Sequence, residues 1–309
     1  MKNTRAWMRA VLFLLLLAAP TRADDQPPPS EPPRDQAPKQ SLKAINKALT
    51  DPVSEAWSIA LQQNFFRISP GLGQEEHWNS QLLFQGAFPV ALTPEWDLIT
   101  RPSIEFFDSQ PHPEPEDPAH IERTTAFGDI ILLQLFAPRR ELSSNWIFGV
   151  GPTWIFPSGS SRWTTTGKWQ VGPAAAFGYL SDKWILAALF QNWTSFGGSG
   201  PFATNSMNLL PLAVYFFPNG WSVGYAGNIL ANWKASATNV YTVPIGLQVG
   251  KVSILGPIPL KLVLAAEWMP VHPAIGQVWN VQLTIQALRP KLLRGYLNDP
   301  STLKLRWEE

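Results

Sequence analysis

Residues 167–193 read GKWQVGPAAAFGYLSDKWILAALFQNW, and this stretch decides the fold. Two apolar runs stand on either side of the polar triplet 181–183, and a tryptophan lies near each outer end. Each run is shorter than the ~20 residues of a membrane-spanning helix, yet it has too few polar residues for an ordinary surface strand. The pattern predicts a hairpin of two membrane-spanning strands, with one face against lipid and the Gly, Ala and Gln face toward a lumen.

Alternation of apolar and polar residues continues through the rest of the chain. Trp221, Val223 and Tyr225 alternate with Ser222 and Gly224, which is the period of a strand with one apolar and one polar face. The same period is found in three further segments, residues 96–107, 241–251 and 279–286. Twelve strands are predicted in total, at residues 60–68, 78–88, 96–107, 127–137, 145–156, 168–180, 184–196, 206–217, 221–234, 241–252, 259–270 and 277–288.

The connections between these strands alternate in length. Residues 181–183 and 218–220 are tight turns, whereas residues 108–126 and 157–167 are long loops. Outer-membrane barrels have long loops outside and short turns on the periplasmic side, and an even strand count brings both chain ends to the short-turn side. The fold class predicted is therefore all-β, an antiparallel transmembrane β-barrel of twelve strands in the outer membrane of a Gram-negative bacterium.

Tryptophans are placed where such a barrel needs them. One set follows the short turns, namely Trp96, Trp146, Trp184 and Trp221. The other set lies beside the long loops, namely Trp154, Trp169, Trp193, Trp233, Trp268 and Trp279, with Trp78 in the same region. Two aromatic belts one strand-height apart are typical of the two membrane interfaces. The alternative is a soluble β-sandwich or a secreted barrel, whose strands would also alternate apolar and polar residues.

Five segments follow from the composition along the chain. Residues 1–23 have the charged start, short apolar run and small-residue cleavage site of a signal peptide. Residues 24–40 form a Pro-rich linker, residues 58–288 the barrel and residues 289–309 a C-terminal periplasmic tail. In residues 41–57, Leu42, Ile45 and Leu49 have helical spacing. A position on the membrane and a position that partly plugs a pore are both open for this helix, and a surface position in the periplasm is favoured over them.

Four prolines fall inside predicted strands, where proline removes a ladder hydrogen bond. Bulges at Gly-Pro steps are the expected accommodation. The residues are Pro152, Pro173, Pro211 and Pro244.

Charge and composition exclude several functions. The formal net charge is +1, and removal of the predicted signal peptide leaves 20 basic against 23 acidic residues, so nucleic-acid binding is not expected. The chain has no cysteine, and its 4 histidines lie in predicted loops without metal-ligand spacing. No Ser-His-acid set can be assigned. We expect no enzyme activity, no metal and no cofactor.

The polar faces of the predicted strands supply the candidate lumen residues. In a closed barrel, an inward polar face indicates either a wet channel or a hydrogen-bonded interior. These side chains therefore either set selectivity or form structural pairs, and the sequence leaves both open. The candidates are Gln81, Gln85, Asp97, Arg101, Glu105, Lys168, Asn228, Asn232, Lys261 and Glu267.

Several motifs also resemble one bacterial family. DPVSEAWSIALQQNFF (51–66), WDLITRP (96–102), FGDIILLQLFAP (127–138), WIFGVGPTWIFPS (146–158), GKWQVGPAAA (167–176) and YTVPIGLQVGKV (241–252) resemble the phenol meta-pathway-like (MetA-pathway) outer-membrane proteins, some of which are labelled neuromedin U. The resemblance covers residues 50–288. It implies a porin-like barrel transporter for small, often hydrophobic or aromatic, organic solutes.

The expected partners are the outer-membrane bilayer, small organic solutes and the barrel-assembly machinery. The resemblance also implies that the last strand ends on an aromatic residue that this machinery reads, whereas here Leu288 is followed by the tail. The alternative function is a non-conducting structural or surface-interaction barrel that binds partners through its long loops.

Overall fold

The computed structural model describes residues 41–70, 76–114, 116, 120–139, 145–256 and 258–288. The predicted signal peptide, linker and C-terminal tail lie outside the described residues. Among the described residues, no helix has the length and hydrophobicity that a membrane crossing requires.

One helix precedes a series of antiparallel strands. The helix α1 spans Leu42–Thr50, and its N-cap Ser41 accepts a hydrogen bond from the Ala44 N–H. A 3₁₀ turn lies at Ala237–Asn239. The strands are β1 (Ser58–Pro70), β2 (His77–Ala91), β3 (Trp96–Pro113), β4 (Ile121–Phe127), β5 (Ile130–Pro138), β6 (Trp146–Phe156), β7 (Trp169–Leu180), β8 (Trp184–Gly197), β9 (Asn205–Phe216), β10 (Trp221–Tyr225), β11 (Ile229–Asn232), β12 (Tyr241–Leu255), β13 (Ile258–Val271) and β14 (Ile275–Leu288).

These strands close into a barrel with twelve positions. Consecutive strands pair antiparallel, and β1 pairs with β14, with Ser58 opposite Leu288, so the first and last strands close the ring. Two positions are shared by broken strands, because β4 and β5 both pair with β3, while β10 and β11 both lie between β9 and β12. The predicted twelve-stranded fold is confirmed. We call the end that holds α1 and Leu288 the turn end, and the opposite end the loop end.

The barrel exterior is apolar. Outward residues of β12–β14 such as Leu247, Leu264 and Leu283 are exposed on the outer surface, and a closed ring leaves no strand edge unpaired toward lipid. The predicted belt residues Trp96, Trp146, Trp184, Trp221, Trp169, Trp233, Trp268 and Trp279 are all exposed, and Trp154 lies on the same outward face, opposite Leu132 and Val171.

The belt assignment is wrong for Trp193. This side chain is buried, and its indole Nε1–H donates to Thr153 Oγ1 at 3.0 Å inside the barrel. Trp184 and Trp193 lie an odd number of positions apart on one strand. Because strand side chains alternate with a period of two, an outward Trp184 requires an inward Trp193.

The predicted long loop at residues 108–126 is largely a hairpin. Strand β3 continues to Pro113 and pairs with β4, with Gln110 opposite Thr124 and His112 opposite Glu122. The His112 ring also stacks on Trp163, with centroids 4.5 Å apart. A rigid extension therefore rises from the loop end in place of an irregular loop.

Strand prolines lie beside interruptions of the ladder. Pro152 and Pro173 face each other across β6 and β7, and their other neighbours, β5 and β8, lack paired residues at this height. The expected bulge is present at Pro244, where the register with β13 shifts between Val243 and Ile245. Pro211 adjoins the break between β10 and β11.

The inward face between β7 and β8 requires glycine at position 172. A Cβ atom at Gly172 would stand 1.9 Å from the Asn192 carbonyl oxygen. We expect Gly172→Ala to lower the free energy of unfolding by roughly 1–3 kcal/mol, because the backbone has to move apart. Gly197 is the matched control, because a Cβ atom placed there would have no other residue's atom within 4 Å beyond its chain neighbours. Equal thermal stability of Gly172→Ala and Gly197→Ala in detergent would contradict the expectation.

Candidate functional site: the barrel lumen

The lumen has a polar wall and an apolar wall. Strands β1–β3 and β12–β14 form the polar wall, whose inward residues include Gln62, Asn64, Gln81, Gln85, Gln248, Asn280, Gln282, Thr284 and Gln286. Strand β3 shares its inward Ile99 with the apolar wall, which continues over β5–β9 with Leu133, Leu135, Ile147, Ala174, Ala176, Ile185, Leu189, Val214 and Phe216. The two walls give the interior an amphipathic cross-section.

Amides of the polar wall are linked by hydrogen bonds. Gln62 Nε2 donates to Asn64 Oδ1 at 2.8 Å, and Asn64 Nδ2 donates to Gln81 Oε1 at 3.3 Å. Gln286 Nε2 reaches Ser58 Oγ at 3.3 Å. These groups satisfy one another in part and still present donors and acceptors inward.

Helix α1 and the residues after it close the turn end of the lumen. Ile45 and Leu49 pack with Ala56 against the inward Val252 and Leu288. Val53 belongs to the cluster of the apolar wall. Residues 41–57 therefore form a plug that covers both walls, and the surface position favoured by the sequence analysis is wrong.

Polar contacts fix the plug to the barrel. The Lys261 ammonium donates to Thr50 Oγ1 at 2.6 Å, and the Arg101 guanidinium donates to the Pro52 carbonyl at 3.2 Å. Buried Asn46 donates to the Gly220 carbonyl at 3.0 Å, and Gly220 has the positive φ of 84° that this turn needs. Two of the predicted lumen residues, Arg101 and Lys261, thus serve as plug contacts.

A further ion pair lies outside the barrel wall, at the tight turn between β7 and β8. Lys43 Nζ of the helix lies 2.5 Å from the Asp182 carboxylate. The hydrogen bond from Lys43 holds the pKa of Asp182 below its usual value, with Lys47 and Lys183 adding attraction. Asp182 is therefore charged, and the pair persists, until the pH falls below that lowered pKa.

Four more of the predicted lumen residues lie on β2 and β3. Gln81, Gln85 and Glu105 lie on the inward face of β2 and β3. Asp97 is buried near the turn end, where it accepts a hydrogen bond from Arg139 Nε at 2.8 Å. This pair anchors the end of β5 to β3.

Two predicted lumen residues lie outside the strands, and a third lies at the end of one. Lys168 precedes β7, and its ammonium donates to the Gly198 carbonyl in the neighbouring loop. Asn228 lies in the break between β10 and β11 and is exposed. Asn232 ends β11 on the inward face, because it pairs with Ser206, which pairs with the inward Trp193. Its side chain caps the Lys234 N–H.

The wall is interrupted at residues 226–228. These residues form no ladder pairs with β9 or β12, and Pro244 stands on the neighbouring strand. The Tyr225 hydroxyl donates to the Pro244 carbonyl at 2.9 Å and bridges the interruption. Behind it lies the inward Glu267, which accepts hydrogen bonds from Asn280 at 3.2 Å and Gln282 at 2.9 Å.

Some interior residues were not expected as a site. The Thr153 hydroxyl accepts a hydrogen bond from the Trp193 indole and donates one to Gln191 Oε1 at 3.0 Å, on the inward faces of β6 and β8. The odd spacing of Trp184 and Trp193 was a usable signal for this network. Val53 gave no such signal, because its role depends on where the plug lies.

Within the described part of the chain, no three His, Asp or Glu side chains lie close enough together to hold a metal ion.

The closed ring and the apolar exterior with its exposed tryptophans define a transmembrane β-barrel of the outer membrane. Among solved structures, an outer membrane channel from Pseudomonas putida F1 is similar with a TM-score of 0.56 and 13% identity, over 75% of this chain and 95% of that channel. This likeness supports the fold.

More distant similarity extends to two other solved proteins. The P. putida toluene transporter TodX has a TM-score of 0.34 and 11% identity, over 80% of this chain and 91% of that one. A Pseudomonas aeruginosa FadL homologue has a TM-score of 0.34 and 9% identity, over 78% and 93%. No protein-family model and no curated protein sequence matches the chain.

Proposed function

We propose that this protein is an outer-membrane channel for passive uptake of small organic solutes with hydrophobic or aromatic parts. The amphipathic lumen carries the proposal, because an apolar wall takes up an apolar body while the amides of the opposite wall hydrogen-bond to water and polar groups. The resemblance to phenol meta-pathway-like proteins agrees with this solute class. The plug at the turn end implies a gated passage in place of a permanently open pore.

Permeation of reconstituted vesicles tests the proposal. We expect benzyl alcohol to enter proteoliposomes faster than a sugar of similar size, and Gln62→Trp to slow this entry because an indole then narrows the lumen. Gln62 faces inward, whereas its neighbour Leu61 is exposed on the outer surface. Leu61→Trp is therefore the matched control and should permeate like the wild type.

The result that contradicts the proposal is equal permeation of the empty vesicle, the wild type and both variants. That outcome would favour the second function, a surface-interaction barrel. The hairpin of β3 and β4 supports this alternative, because the stack of the buried His112 on Trp163 fixes it at the loop end. The exposed Arg162, whose guanidinium lies 4.8 Å from the Trp163 ring centroid, is available there to a partner.

A further inference from the structure

Glu267 is a buried carboxylate whose hydrogen bonds leave one oxygen free. Its side chain points inward from β13 and is almost fully buried, with 6% of its surface exposed. Asn280 Nδ2 and Gln282 Nε2 both donate to the same oxygen, Oε2. Among the described residues, none donates to Oε1 and no cation forms an ion pair with this carboxylate. A buried charge in this state lacks the partner that normally compensates its desolvation.

Asn280 supplies a second free acceptor beside it. Asn280 lies directly opposite Glu267 on β14, and such cross-strand neighbours are in side-chain contact. The Asn280 side chain is buried at 7% exposure, and its Oδ1 has no hydrogen-bond partner within the described part of the chain. Leaving a buried acceptor unpaired costs about 1–3 kcal/mol. Two acceptors on adjacent strands therefore lack donors at one place in the lumen.

The free oxygen of Glu267 lies next to the interruption in the barrel wall. A Cβ atom at Gly227 would stand 3.0 Å from Oε1, 2.8 Å from the Tyr225 hydroxyl and 2.8 Å from Pro244 Cγ. The site is therefore bounded on one side by the Gly227 backbone, Pro244 and the Tyr225 hydroxyl, whose hydrogen is used by the Pro244 carbonyl. The two acceptors bound it on the other side.

We propose that Glu267 and Asn280 bind the primary ammonium group of an amphiphilic organic solute. An ammonium group has three donors and one positive charge, so it can bond to both free acceptors and compensate the buried carboxylate, while its apolar body lies against the apolar wall. The inference rests on the proposed function for the route by which such a solute arrives. A hydroxyl group, with one donor and no charge, satisfies only one of these needs.

Calorimetric titration of the full-length protein in detergent with benzylamine, benzyl alcohol and toluene at neutral pH tests this site. We expect benzylamine to bind most tightly. Glu267→Gln removes the charge with little change of shape, and should weaken benzylamine binding at least about tenfold, as loss of a charge-assisted hydrogen bond does, while toluene binding stays the same. Glu122→Gln, the same change on the exposed strand β4, is the control for net charge.

A second variant removes the other acceptor. Asn280→Ala should weaken benzylamine binding and leave toluene binding the same. Unchanged benzylamine binding in Glu267→Gln overturns the proposal, as does a parallel loss of toluene binding, which would indicate a change of shape. The proposed function fails separately, because wild-type vesicles that admit a neutral aromatic solute no faster than empty vesicles contradict the channel without affecting the comparison of Glu267→Gln with wild type.

Discussion

A barrel that lacks residues 41–57 is expected to conduct ions in large, steady steps in a planar bilayer, whereas the intact chain conducts little. Helix α1 with its side chains is about 10 Å across, so its removal opens a passage of that order at the turn end. The ring itself should persist, because β1 and β14 pair along their length from Ser58 and Leu288 onward without help from the plug.

Two controls separate plug removal from simple truncation. Deletion of residues 26–40 removes a similar length of chain, keeps the predicted cleavage site and leaves the plug in place, so its conductance should equal that of the intact protein. Val53→Asp keeps the full length but puts a charge into the apolar cluster around Ile99 and Leu135. Because that burial is costly, this variant should open intermittently. Low conductance in both the 41–57 deletion and Val53→Asp would show that the plug does not close the lumen.

The second large effect concerns the two faces of β12. Leu247 faces outward with 57% of its surface exposed, and its neighbour Gln248 faces inward opposite Gly224 and Ala265. Arginine at Leu247 should cost roughly 2–4 kcal/mol of unfolding free energy in a lipid bilayer, because its charge meets hydrocarbon near the midplane. Arginine at Gln248 should cost much less, because its charge stays among polar groups of the lumen.

Urea unfolding of the two variants in lipid vesicles, followed by tryptophan fluorescence, measures this difference. The variants are adjacent in sequence and introduce the same residue, so strand propensity and net charge cancel in the comparison. Equal destabilisation by Leu247→Arg and Gln248→Arg would mean that the assignment of lipid-facing and lumen-facing sides is wrong.

Local periodicity was enough to predict the barrel. Strand side chains alternate with a period of two. The residues of each strand therefore indicate which face meets lipid, as Leu247 and Gln248 show. The tight turn at residues 181–183 and the tryptophans that follow the short turns fixed the height of the strands. Spacing also indicated which way each indole points. Trp221 and Trp233 are an even number of positions apart and share a face, whereas Trp184 and Trp193 are an odd number apart and lie on opposite faces.

What closes and lines the lumen was decided by contacts between residues far apart in sequence. Helix α1 is amphipathic wherever it lies, and contacts with distant residues, among them Val252, Leu288 and the donor of Lys261, determine that it lies inside the barrel. The break at residues 226–228 likewise places Gly227 beside Glu267, some forty positions away. Period and turn length are properties of neighbouring residues and can be read along the chain, whereas a plug and a free acceptor pair exist only once the ring has closed.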